Sequence, residues 1–262
     1  MGWLDMERIA DLFDSIAPGY ARWSEILSVG GINAWHHAAV RALEIEPGQA
    51  ILDVGCGPGW VTRQIAARVG PGGHVVGLDP SPSMLRLAAR EPSAHVQWVR
   101  GRGEHLPFAD RTFDGVTAQF SLRNMGSWRD GIKEMVRVTR PGGKVVILDL
   151  VQPVSTRGMM AARALGIGTW ALAESGWPGY RWLARSVKRA PTVEEVETLL
   201  AAQGVSLVIQ HRWLGDLVLL VAAERLGRAS GGGRVASARG SQVSDGMMLA
   251  RGDELRPHGP ME

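Results

Sequence analysis

The chain has one cysteine, two tyrosines and four phenylalanines in 262 residues, and each scarcity removes a class of explanation. The single thiol, Cys56, cannot form a disulfide within the chain and has none of the neighbours that zinc ligation requires, so neither a disulfide scaffold nor a metal site is expected. That usage suits a reducing compartment. The longest apolar run, roughly 217 to 223, is far too short to cross a membrane. The start, MGWLDMERIADLF, mixes acids with apolar residues and lacks the basic segment and apolar stretch of a secretory signal. A cytoplasmic protein is expected, one still able to touch a membrane surface. Basic residues look scattered and the net charge is only +3, which offers no face for nucleic acid. No internal repeat is visible. With 45% hydrophobic and 21% charged residues, the chain can bury the core of one large α/β domain.

What is present centres on Ile51 to Trp60, ILDVGCGPGW. An extended apolar run containing Asp53 leads into Gly55, Gly57 and Gly59, and then into a stretch with helical spacing. Glycines there let the backbone take positive φ and come close to a ligand. A second apolar run, HVVGLDP, ends in an acid, Asp79, followed by Pro80. An acid ending the second strand beside a glycine turn ending the first is an arrangement that holds a ribose. The spacing G-x-G-x-G, with Asp53 two residues ahead, lacks the offset that sets a pyrophosphate on a helix N-terminus, which argues against NAD or FAD. A carboxylate at that turn suits a cationic amino group and repels phosphate. S-adenosylmethionine combines an amino group, a ribose and no phosphate, and D-x-G-x-G-x-G resembles the first motif of the class I methyltransferases.

The remaining chain is consistent with that reading. Residues 5 to 45 look like two helices broken at Ala17-Pro18-Gly19, and carry Tyr20, His36 and His37; packed or exposed helix positions are the expectation for the histidines. From 49 to 149 strands near 49–54, 74–79, 96–100, 113–119 and 144–149 alternate with helices at 59–69, 81–90 and 128–139. That order predicts an α/β fold with a parallel sheet covered on both faces and a ligand beyond the strand tips. The loop Gly101 to Phe108 should lie beside a purine. Gln119 to Met125 should bring Arg123 and Asn124 to the cleft mouth. Arg140 to Lys144 reads as a turn before the fifth strand. Residues 151–190 read as a helical lid for an apolar substrate, Thr192 with Glu195 as a capping box, and 205 to 226 as a final antiparallel pair, making seven strands. The expected organisation is a helical cover over 1–46, a catalytic domain over 47–226 and a disordered tail over 227–262.

Several stretches, in order, resemble one family: FDSIAPGY, LDVGCGPG, VGLDPSPSML, GEHLPFADRTFD, FSLRNM, EMVRVTRPGGKVVILD and YRWLARSVKRAPTVEEVETLL. They are similar to the ubiquinone and menaquinone C-methyltransferases, over roughly Phe13 to Gly204. The resemblance implies the Rossmann-like class I methyltransferase fold, S-adenosylmethionine as donor, and the ring carbon of a demethylated polyprenyl quinol as acceptor. It implies cofactor contacts at Pro58, Asp79, Arg102, Gly103 and Gln119, beside Asp53 and the glycines. Pro58 stands where a threonine is common. Arg102 and Gly103 stand where Asp or Asn followed by Ala is common, and an arginine cannot accept from an adenine amino group, so Glu104 or a backbone carbonyl would take that part. Arg123 would favour a phenolate by its charge, Asn124 would help hold a water, and Tyr20 would orient the ring. The expected partner is an apolar small molecule, with peripheral membrane contact and a homodimer both left open. A methyltransferase acting on another phenol or amine, and a binding protein of the same fold without activity, are the rival readings.

Overall fold

The computed structural model of the chain describes residues 31–175 and 181–227. These belong to one compact unit, Met1–Arg228; a second, Ala229–Glu262, lies outside them, as do the expected helix before Ala17, Tyr20 and the tail beyond Gly227. The described strands are β1 (Ala50–Val54), β2 (His74–Asp79), β3 (Val96–Arg100), β4 (Phe113–Gln119), β5 (Thr139–Leu150), β6 (Val205–Trp213) and β7 (Val218–Arg225). They form one sheet in the order β3-β2-β1-β4-β5-β7-β6. β1 to β5 are parallel, and β7 runs antiparallel to both β5 and β6. The order reverses between β1 and β4, so a crevice opens beyond their carboxyl ends.

Side chains alternate across each strand, and here both faces are buried. Leu52 and Val54 point into one core with Val76, Leu78, Val116, Val145 and Ile147. Ile51 points into the other with Val75, Val146 and Leu148. Helices α4 (Trp128–Val138) and α7 (Val193–Ala202) cover the first face through Ile132, Met135, Val196 and Leu200; α1 (Ile32–Ala42) and α2 (Trp60–Val69) cover the second through Ala39, Val40, Ile65 and Val69. Two-sided burial explains the near-continuous apolar runs. Each fully buried Leu or Ile contributes roughly 1.5–3 kcal/mol. The expected capping box forms, with Thr192 Oγ1 accepting from Glu195 N–H at 3.2 Å and Glu195 Oε2 from Thr192 N–H at 3.0 Å.

One element differs from expectation. The Arg140 to Lys144 segment is an outward step within β5: the pairing jumps from Phe113 with Thr139 to Gly115 with Lys144. Gly142 takes φ +80° there, and a Cβ on Gly143 would lie 2.5 Å from the Asp114 carbonyl oxygen. The glycines let the strand bulge and resume without losing its place in the sheet.

The lid stretch contains α5 (Thr156–Glu174) and α6 (Arg181–Val187), which pack against each other; α3 (Pro82–Ala88) follows β2. Asp216, in the β6–β7 turn, anchors the start of α5. Its carboxylate accepts from the backbone N–H of Val154 (2.8 Å) and Ser155 (3.0 Å) and from the Ser155 hydroxyl (2.6 Å), while Ser155 Oγ caps Gly158 N–H at 3.0 Å. Replacing Asp216 by Ala strands those donors and should cost about 1–3 kcal/mol in urea unfolding, with faster amide exchange at 154–158; unchanged exchange there would show that α5 is held by other means.

Candidate active site

The chain leaves β1 at Val54 and reaches α2 at Trp60, through a turn in which Gly55, Gly57 and Gly59 take φ of +74, +53 and +80°. Their reasons differ. A Cβ on Gly55 would meet Ser121 Cβ at 2.3 Å, and one on Gly59 would meet the Trp98 ring at 2.4 Å. A Cβ on Gly57 would meet nothing within 4 Å, because that side faces the cleft. The outer glycines are therefore demanded by protein neighbours, and the middle one leaves room for a ligand. Gly55 and Cys56 N–H both donate to the Leu78 carbonyl (2.7 and 3.1 Å). Gly57 N–H donates to Asp79 Oδ2 at 2.9 Å, and Ser81 N–H to Asp79 Oδ1 at 2.8 Å.

Eight of the expected cofactor residues, Gly55, Gly57, Asp79, Pro80, Arg102, Gly103, Glu104 and Gln119, line one cleft at the switch point. Three do not. Pro58 turns its carbonyl to Arg63 Nη1 at 3.1 Å, Gly59 caps α2, and Asp53 lies behind the glycine turn, its Oδ2 accepting from the Thr62 hydroxyl at 2.6 Å. Asp53 thus makes no contact in the cleft. Burial, against the opposing Thr62 hydroxyl and with the added negative charge of Asp79, pushes its carboxyl from the ordinary 3.8 to about 7. Burial first, then Asp53 and Asp79, push the Cys56 thiol well up, so it stays protonated. Among the described residues no three His, Cys, Asp or Glu side chains are grouped to hold a metal ion.

The end of the cleft expected to hold a purine is built from the loop after β3. Glu104 is buried; its Oε1 accepts from Gly126 N–H and lies 3.7 Å from Arg102 Nη2. Its Oε2 has no hydrogen-bond partner among the described residues. A buried acceptor left open beside the cleft fits an exocyclic amino group, which is the chemistry Arg102 lacks. The Gly at 103 has a local cause: a Cβ would lie 2.5 Å from Met125 Cε. Between this acceptor, the open side of Gly57 and the carboxylates of Asp53 and Asp79, the residues present fit S-adenosylmethionine.

At the other end, Gln119 and Asn124 line the cleft, together with Phe120, Ser121 and Met125, but Arg123 does not. The guanidinium is buried in an ion pair with Asp149 at the end of β5, and further donates to the Phe120 carbonyl (2.9 Å) and Ser186 Oγ (3.2 Å). The expectation that Arg123 favours a phenolate by its charge at the cleft mouth is therefore corrected: the guanidinium is turned away from the cleft and paired with Asp149. Asn124 is the one that faces inward, its Oδ1 accepting from Trp182 Nε1–H on α6 and its Nδ2 donating to the Phe120 carbonyl, both at 3.3 Å. Tyr20 lies outside the described residues. His36, read from sequence as an ordinary helix residue, instead reaches the site: its Nδ1 is 2.6 Å from Gln119 Oε1, and its ring sits between Trp60 and Phe120, 5.3 Å from each. Burial lowers its pKa from the ordinary 6.5, with Gln119 opposing and His37 adding, so the imidazole is neutral at neutral pH. Asp149, next to last in VVILDL, is visible in the sequence as a lone acid in an apolar run; nothing in a linear reading singles out His36.

The Asp53 shift carries a sign that melting curves can check. The folded state keeps a proton that the unfolded chain releases, so stability falls as pH rises between about 4 and 7, and the full cost persists above. Asp53→Asn should match the parent at pH 4 and exceed it at pH 8, by at most about 4 kcal/mol, while binding S-adenosylmethionine more weakly. A difference independent of pH would remove the shift from the account.

The model of the ubiE/COQ5 methyltransferase family matches residues 1–223. The ubiquinone/menaquinone biosynthesis C-methyltransferase UbiE of Ectopseudomonas mendocina is 32% identical over 223 residues, 82% of this chain and 87% of that one. The 2-phytyl-1,4-naphtoquinone methyltransferase of Thermosynechococcus vestitus is 34% identical over 227 residues, 84% of this chain and 100% of that one. Among solved structures, a SAM dependent methyltransferase from Aquifex aeolicus superposes with TM-score 0.54 at 17% identity, covering 73% of this chain and 89% of that one, a likeness of fold. The chain belongs to the ubiE/COQ5 methyltransferase family, and S-adenosylmethionine is its methyl donor.

Proposed function

We propose that the acceptor is the ring carbon of a demethylated polyprenyl quinol, a demethylmenaquinol or a ubiquinol precursor. The observation that carries this is the agreement of two separately named relatives, one acting in ubiquinone and menaquinone biosynthesis and one on a phytyl naphthoquinone. The acceptor end of the cleft supports it, since Phe120 and Met125 supply apolar wall beside the polar side chains of Gln119, Ser121 and Asn124.

The donor supplies a methyl on a sulfonium, already a good leaving group, so the protein has mainly to align the ring carbon and exclude water. The carbon becomes nucleophilic when the neighbouring hydroxyl loses its proton. Asn124 Nδ2 has a second hydrogen beyond the one given to Phe120, and that hydrogen steadies the phenolate oxygen. Arg123 acts through position: it ties the residue before Asn124 to Asp149 and to α6. The proton passes to His36. Because Nδ1 donates to Gln119 Oε1, Nε2 carries the lone pair, and it makes no hydrogen bond among the described residues. Water can bridge the hydroxyl and that nitrogen.

Labelled donor with either a demethylmenaquinol or short phenols separates this reading from a methyltransferase of another metabolite; transfer to the phenols alone overturns it. On the productive acceptor, His36→Gln should lower kcat by about 10²-fold or more, and abolish an acid limb lying below the ordinary 6.5; a limb that survives assigns the proton elsewhere. Asn124→Ala should lower kcat about 10²-fold with donor affinity unchanged. Arg123→Ala is a poorer probe of chemistry, since it strands the buried Asp149 carboxylate at a cost of about 3–5 kcal/mol.

A further inference from the structure

Helix α5 is amphipathic in the wrong sense for its position. The stripe turned inward carries small residues, Gly158, Ala162, Thr169 and Ala173, with Leu165 half-buried. The stripe turned outward carries Met160, Ile167 and Trp170, seven and three residues apart, which are 64, 69 and 59% exposed. A helix with no partner for its outer face would place its larger apolar side chains inward. Val154, just before α5, is 73% exposed as well.

Charge indicates what covers this face. Along the sequence the cations look scattered, yet residues 151–190 hold six basic residues and one acid, Glu174, in a chain whose net charge is +3. Arg157 and Arg163 are exposed on α5, and Arg185, Lys188 and Arg189 are exposed on and just after α6, the helix packed against it. An apolar stripe containing a tryptophan, flanked by cations on long stems, is the composition of a helix lying in the headgroup region of a bilayer. A second copy of the chain would bring like charges together over the same patch. No helix among the described residues is long and apolar enough to cross the membrane, so any contact made here is peripheral.

We propose that the outer face of α5, with the cations of α5 and α6 around it, is a docking surface for an anionic lipid bilayer. The opposite side of the same pair touches the active site: Trp182 reaches Asn124, and Ser186 accepts from Arg123. A membrane under α5 therefore lies beside the acceptor end of the cleft. The inference requires no particular acceptor, because docking is measured without one.

The full chain should float with vesicles of phosphatidylcholine and phosphatidylglycerol, and much less with phosphatidylcholine alone, the difference shrinking at high salt. Ile167→Glu with Trp170→Glu, and separately Arg157→Glu with Arg163→Glu, should each lower the partition coefficient by about tenfold or more. Both variants should keep the parent's melting temperature and its S-adenosylmethionine affinity by calorimetry. Failure of the parent to bind anionic vesicles, equal binding by a variant that remains folded, or a dimer in sedimentation that the Ile167/Trp170 variant dissociates, would each overturn the proposal. Docking with no transfer to any quinol would leave this surface standing and remove the assigned acceptor instead.

Discussion

The two backbone N–H groups that converge on the Asp79 carboxylate hold this active site in shape. Gly57 donates from the turn after β1 and Ser81 from the turn after β2, so one side chain fixes two loops that no strand pairing reaches. A carboxylate in this place suits a ribose hydroxyl. Its charge also bears on which ligand the cleft takes. Asp53 is buried directly behind the turn, and its carboxyl is pushed up by burial and by Asp79, while the nearby guanidinium of Arg102 is engaged toward Glu104. Two carboxyl groups thus stand at the donor end of the cleft. A sulfonium and an ammonium are attracted to them, whereas a pyrophosphate is repelled. The preference for a cationic nucleoside follows from this arrangement more directly than from the glycines, which only make room.

A different logic governs the acceptor end. Arg123 and Asp149 form a buried pair, and such pairs repay their desolvation only with good geometry and further hydrogen bonds. Here the pair has them: Arg123 also donates to the Phe120 carbonyl and Ser186, and Asp149 also accepts from the backbone of Arg123 and Leu150. The result links the end of β4, the end of β5 and helix α6. Fixing those three elements fixes Asn124, a polar group on the cleft wall, and Trp182, which orients its amide. A cation that sequence reasoning placed against substrate serves instead to build the wall beside it.

What could be read without coordinates was whatever depends on local order. Strand cores bury both faces, so VVILDL and ILDV announce themselves as apolar runs, and the glycine spacing is set by atoms within one turn. The capping box at Thr192 is local in the same way. Features that depend on topology stayed hidden. Asp149 meets Arg123 only because β5 lies beside β4, and His36 meets Gln119 only because α1 packs across the strand tips; nothing in WHHAA separates that histidine from its exposed neighbour. The outward step at Arg140 to Lys144 reads as a turn because a bulge and a turn ask for the same glycines. The concentration of cations on α5 and α6 was invisible for a similar reason: spread over forty residues in sequence, they gather when two helices pack.

These differences separate what is generic in the site from what is particular to this chain. The donor half is held by backbone N–H groups, glycine geometry and two acids, parts that any member of the fold can present whatever it methylates. The acceptor half is assembled from side chains on α1, β4, β5 and α6, and each reaches the cleft through a partner on another element. A change of acceptor therefore asks for changes in these elements rather than in the glycine turn or in Asp79. Because α6 also packs on the helix whose outer face is apolar and flanked by cations, the elements proposed to select the acceptor adjoin the face proposed to meet a bilayer. On that proposal the water-soluble donor and a poorly soluble acceptor would approach the sheet tips from different sides, and Asn124, tied to α6 through Trp182, would stand nearest the second approach.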